Sequence, residues 1–148
     1  PMTNTKSHIL ESVSRLIFLF IIIFSIYLFL KGHNQPGGGF IAGIAASIPL
    51  FLLAMSLGVS TVKRVLKVDS LTLAATGLIF AYGTAFVPTV LGYPFLFQKM
   101  IHTHVPILGE LHIGTPVLFD LGVFMVVVGV STKIIFSFLD VVNSKEKV

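Results

Sequence analysis

From Phe40 to Val62 the chain runs for 23 residues without a formally charged side chain and then meets the basic stretch KRVLK. A helical run of this length is enough to cross the hydrocarbon core of a bilayer, and the abrupt return of positive charge marks where it meets water again. Composition extends the argument to the whole chain. Hydrophobic residues make up 55% and charged residues 11%, whereas soluble domains carry roughly 25% charged residues to maintain a hydrated shell. Lipid must supply most of the surroundings that water supplies elsewhere. At about 20 residues per span, 148 residues accommodate four crossings and leave little for a separate catalytic domain.

Four spans are expected. The first uncharged run, LIFLFIIIFSIYLFL, covers Leu16 to Leu30 and reaches span length when Arg15 and Lys31 extend their charges to the two interfaces, giving a helix over 11–31. GHNQPGGGF follows directly, without a small-residue cleavage site, so this run reads as a retained membrane helix rather than a signal peptide. The second span, 40–62, opens with the small residues Ala42, Gly43, Ala45, Ala46 and Ser47, which allow close helix approach, and holds a bend-inducing Pro49. In the third, 71–90, Gly77, Ala81 and Ala85 recur every fourth residue on one face. Pro88, Gly92 and Pro94 then break the pattern, and a long connection with a short interfacial helix is expected up to Glu110. The fourth span, 111–132, continues toward Leu139 and carries Asp120 near its expected middle. The long apolar runs lack the short alternations of a lipid-facing barrel. The expected fold is an all-α polytopic membrane protein with four transmembrane helices, residues 1–148 forming a single membrane domain.

Basic residues are unevenly shared among the connections. Lys6 and Arg15 precede the first span, Lys63, Arg64 and Lys67 lie between the second and third, and Lys133, Lys145 and Lys147 follow the fourth. Lys31 and Lys99 stand alone on the other side. Retention of positive charge in the cytoplasm therefore predicts that both termini are cytoplasmic. The formal net charge of +4 is confined to short connections without interleaved aromatics, which argues against a nucleic-acid partner. The absence of cysteine excludes disulfides, thiol catalysis and thiolate metal sites.

Asp120 is the first functional candidate, because an ionised carboxylate at mid-depth costs about 2.5 to 3.5 kcal/mol on insertion scales. It must face protein, either as an element of an ion path or as a hydrogen-bonding residue between helices or subunits. Thr76, Tyr82 and Thr84 offer neutral partners within the chain. Glu110 is the second candidate for ion handling, although it also suits the start of the fourth helix as a cap. His112, two residues on, does not share its helical face. The connection GHNQPGGGF must turn tightly: Pro36 restricts the backbone, Gly37, Gly38 and Gly39 permit unusual dihedrals and close approach, and Phe40 anchors the next span. It lacks the Lys-Ser or Lys-Thr of a P-loop, so nucleotide binding is excluded and packing against a second membrane protein is favoured. His33 reads as a turn residue or a titrating surface group. His102, His104 and His112 match no HExxH spacing, and no metal site is assigned. Without a GxSxG elbow or a hydrolytic carboxylate pair, no enzymatic activity is expected.

The string GHNQPGGGFIAGIAAS, with four spans and a polar fourth helix, resembles the B subunit of the multisubunit Mrp-type sodium/proton antiporters. The resemblance covers nearly the whole chain. It implies a multi-pass protein of the bacterial inner membrane, partnered by other membrane subunits and the lipid bilayer, within an assembly that exchanges protons and sodium ions. It also implies no cofactor, with the principal proton channels held by larger subunits. Matched residue by residue, His33, Pro36, Gly37, Gly38, Gly39 and Phe40 carry over in roles of loop geometry and subunit contact. Asp120 and Glu110 are proposed for the ion path on their own chemistry. The alternatives are a self-sufficient homo-oligomeric channel or transporter and, behind it, a membrane-embedded enzyme.

Overall fold

The computed structural model describes residues 3–32, 38–94, 100–105 and 109–145, with side chains described for 12–32, 38–64, 66–94, 115–142, 144 and 145. In chain order the elements are α1 (Thr3–Lys31), α2 (Gly38–Leu57), α3 (Val59–Leu66), α4 (Ser70–Val90), β1 (Met100–Val105), β2 (Gly109–Gly114) and α5 (Thr115–Lys145). Among the described residues, four helices contain segments long and apolar enough to cross a membrane: Ser12–Lys31, Gly38–Leu57, Ser70–Val90 and Thr115–Val142.

Several details depart from the sequence expectations, beginning with α1, which starts at Thr3 and not near residue 11. The apolar run that begins at Phe40 does not continue as one helix to Val62. It breaks at Gly58, whose φ of 83° and ψ of 147° suit glycine alone. The chain resumes as α3, which buries Val59 and Val62 and exposes Lys63 and Arg64. An amphipathic turn of this kind suits the boundary between lipid and water. The connection before α5 holds an antiparallel hairpin instead of an interfacial helix, with His102 opposite His112 and His104 opposite Glu110. The β-branched Ile101, Thr103 and Val105 alternate with His102 and His104 in MIHTHV, a period of two in strand-favouring residues. The hairpin also moves the start of the fourth helix from Leu111 to Thr115, with Pro116 in its first turn, where a missing N–H costs nothing.

Among the described residues, the long helices pack in the order α1–α2–α5–α4. α2 and α5 are central, and α1 and α4 flank them. The seams are built from small residues. Ser70, Ala74, Gly77, Ala81, Ala85 and Pro88 form the buried face of α4, and across it a Cβ on Gly129 would come within 2.6 Å of the Ser70 carbonyl oxygen. Between α1 and α2, buried Ser25 donates its hydroxyl to the Ala42 carbonyl at 2.7 Å. Large apolar side chains point the other way. Phe20 on α1 and Ile79 on α4 are 65% and 71% exposed. Lipid is as apolar as leucine, so burying large side chains between helices gains little, whereas close backbone approach gains dispersion contacts. At the α3 end, Val62 and Phe136 pack with Ala54 and Val59 in a separate apolar cluster.

Candidate functional site

The central pair, α2 and α5, brings three of the sequence candidates together, Gly38, Gly39 and Asp120. Asp120 is the sixth residue of α5, which places it about 8 Å along the helix from its start. It stands nearer the beginning of its helix than the expected start at Leu111 had implied. Starting α5 four residues later puts Asp120 in its second turn, and the energetic cost of its charge falls with proximity to the interface. The side chain is partly buried.

Asp120 faces the beginning of α2. A Cβ built on Gly38 would lie 2.5 Å from Asp120 Oδ2 and 3.1 Å from its Cγ. The carboxylate thus occupies the space that any side chain at Gly38 would need. Gly38 adopts a φ of 22°, a left-handed value that further favours glycine. A Cβ on Gly39 would strike the Asp120 carbonyl oxygen, and one on Gly43 would lie 2.8 Å from Val127 Cβ. Gly39 and Gly43 are spaced as GxxxG, and their partners on α5, Asp120 and Val127, are two helical turns apart. Gly43 is one of the small residues expected to allow close approach, and its spacing from Gly39 sets both against α5.

The electrostatics of this meeting are favourable. The first N–H groups of a helix lack acceptors within it and carry the positive end of its dipole. A carboxylate beside the first residue of α2 is stabilised there by about 0.3–1 kcal/mol when exposed and up to about 2 kcal/mol when partly buried. The neutral partners expected on α4 are otherwise engaged: Thr76 donates to the carbonyls of Thr72 and Leu73, and Thr84 donates to the Phe80 carbonyl at 2.7 Å. Tyr82 is 62% exposed.

Of the remaining candidates, Phe40 is exposed on α2. His33, Pro36 and Gly37 lie outside the described residues, as do the side chains of Glu110, His102, His104 and His112. The backbone places Glu110 in β2, not in the helix it was expected to cap. Among the described residues no group of three or more His, Cys, Asp or Glu side chains could hold a metal ion.

Small-residue seams, lipid-sized helices and a carboxylate set against a helix start define a polytopic membrane protein made for close association with other helices. Similarity to known proteins makes this specific. Residues 9–133 match a family model described as "Domain related to MnhB subunit of Na+/H+ antiporter", and the chain belongs to this MnhB family. It is 40% identical over 132 residues to the B subunit of the Na(+)/H(+) antiporter of Bacillus subtilis, covering 89% of this chain and 92% of that one. To the corresponding B subunit from Alkalihalophilus pseudofirmus it is 37% identical over 138 residues, covering 92% and 96%. Its fold matches part of the Mrp complex from a Dietzia species with a TM-score of 0.73 at 24% identity. That match takes in 92% of this chain and 14% of the much longer Dietzia chain.

Proposed function

We propose that this chain is an accessory membrane subunit of a multisubunit sodium/proton antiporter in a bacterial cell membrane, where it supports assembly and contributes Asp120 to an ion path. The family membership supports the subunit role. The observation that carries the site is the Asp120 carboxylate set against Gly38 at the start of α2. A carboxylate held at the rim of two central helices can accept a proton or attract a cation without the full cost of mid-membrane charge. Glu110, on the hairpin strand that leads into α5, is proposed as a second acidic group on the same approach. His33, Pro36, Gly37, Gly38, Gly39 and Phe40 shape the connection and its contact with a neighbouring subunit. We assign the chain no covalent chemistry and no cofactor.

The test is exchange measured in vesicles carrying the assembled complex. Asp120→Asn keeps the shape and most hydrogen bonds of the side chain but removes its charge. It is expected to abolish most sodium/proton exchange while the complex assembles in normal amount. Full exchange with normal assembly would show that the carboxylate carries no ion. Exchange by a homo-oligomer of this chain reconstituted alone would defeat the accessory role.

A further inference from the structure

A second polar region lies far along α5 from Asp120. A cavity of about 510 Å³ opens between α3, the start of α4 and the later turns of α5, and Lys63, Arg64, Lys67, Asp69, Lys133 and Asp140 line it. Four cations and two carboxylates face it, but the carboxylates are engaged. Asp140 Oδ2 lies 3.0 Å from Lys63 Nζ, and Lys63 also sits 5.6 Å from the centre of the Phe136 ring. Asp69 caps α4 by accepting a hydrogen bond from the Thr72 N–H. Among the described residues, Arg64, Lys67 and Lys133 have no ion-pair partner.

Position decides what anion would fit. Lys133 is 18 residues beyond the start of α5, about 27 Å along the helix and so close to the full roughly 30 Å thickness of a hydrocarbon core. The cavity therefore sits at headgroup level, on the side that the distribution of basic residues assigns to the cytoplasm. Its walls are mixed. Val68, 55% exposed, stands beside the cationic groups, whereas Phe136, 3% exposed, is closed off in the apolar cluster beneath them. A soluble anion needs only the charges, whereas a phospholipid presents a phosphate and the first carbons of its chains together. Basic pockets between membrane helices on the cytoplasmic side suit anionic headgroups.

We propose that the cavity between α3, α4 and α5 binds the headgroup of an anionic phospholipid, with Arg64, Lys67 and Lys133 holding its phosphate and the exposed Val68 beside the start of its acyl chains. Lys63 keeps α3 tied to α5 through Asp140 and shapes the site more than it binds the lipid. The site is separate from Asp120 and does not depend on an ion path there.

The assembled complex, purified in detergent and depleted of lipid, is titrated with phosphatidylglycerol, and bound lipid is counted by native mass spectrometry. Phosphatidylcholine and inorganic phosphate serve as separate probes. Lys67→Gln and Lys133→Gln are each expected to weaken phosphatidylglycerol binding about fivefold, the factor equivalent to about 1 kcal/mol per basic residue near an anionic membrane surface. Lys67→Arg and Lys133→Arg restore it, which separates lost charge from lost folding. Phosphatidylcholine binding does not change in any variant. Equal phosphatidylglycerol binding by wild type and both Gln variants overturns the proposal. So does competition by inorganic phosphate at concentrations comparable to the lipid, which marks a site for free anions. Cross-linking from position 133 to an acidic segment of another subunit, with no lipid bound, makes the cavity a protein interface and also overturns it.

Discussion

Gly122 offers the sharpest test of how the helices are held. It lies on α5 against α4, and a Cβ added there would meet Ala81 N at 2.6 Å, Gly77 O at 2.7 Å and Ala81 Cα at 3.0 Å. All three are backbone atoms, so no side chain can turn aside, and restoring ordinary contact near 3.5 Å requires the two helices to part by roughly 1 Å. Overpacking of this kind costs about 1–3 kcal/mol. Gly83, on α4, supplies the control, because a Cβ there meets nothing within 4 Å. Both Gly→Ala changes gain the same helix propensity, up to about 1 kcal/mol, so that contribution cancels when the two variants are compared. Gly122→Ala should therefore be less stable than Gly83→Ala by about 1–3 kcal/mol, measured as the shift in the thermal or detergent-induced loss of the folded chain from the solubilised complex. If Gly122→Ala is as stable as Gly83→Ala, close backbone contact does not hold α4 to α5.

Two further substitutions probe local features. Gly58→Ala introduces a side chain with no steric neighbour within 4 Å but at a φ of 83°, and is expected to cost about 1–3 kcal/mol from backbone strain alone. An unchanged melting temperature would mean that the break between α2 and α3 is not imposed by this residue. Thr132 Oγ1 is the buried side-chain polar atom without a hydrogen-bond partner among the described residues. Thr132→Val removes that hydroxyl at nearly constant shape and is expected to be neutral or stabilising by up to about 1 kcal/mol. A loss of stability would reveal a partner for the hydroxyl.

The long apolar runs made the membrane helices legible because lipid imposes a length and a composition that no other setting demands. The face of Gly77, Ala81 and Ala85 was legible for a related reason: a small residue every fourth position leaves a groove along a helix. The hairpin was harder to see, since MIHTHV and GELHIG are short and lie between prolines and glycines that also suit irregular chain. Missing it misplaced the start of α5 and, with it, the position of Asp120 along that helix. The break at Gly58 was hidden inside an uninterrupted apolar run, because the charge pattern records where lipid ends and says nothing of where backbone dihedrals change.

By itself, the order of residues determined that this chain belongs in a membrane, how many times it can cross, and which family it resembles. The first two depend on transfer of side chains between water and lipid, which acts on each segment almost independently, and the resemblance rests on the local string GHNQPGGGFIAGIAAS. Only the tertiary structure decided which helices are neighbours, that the Asp120 carboxylate meets Gly38, and that Lys67 of one connection shares a cavity with Lys133 of α5. Such meetings join residues far apart in the chain, and they are set by how closely particular backbones can approach, a property of pairs of helices that neither helix expresses alone.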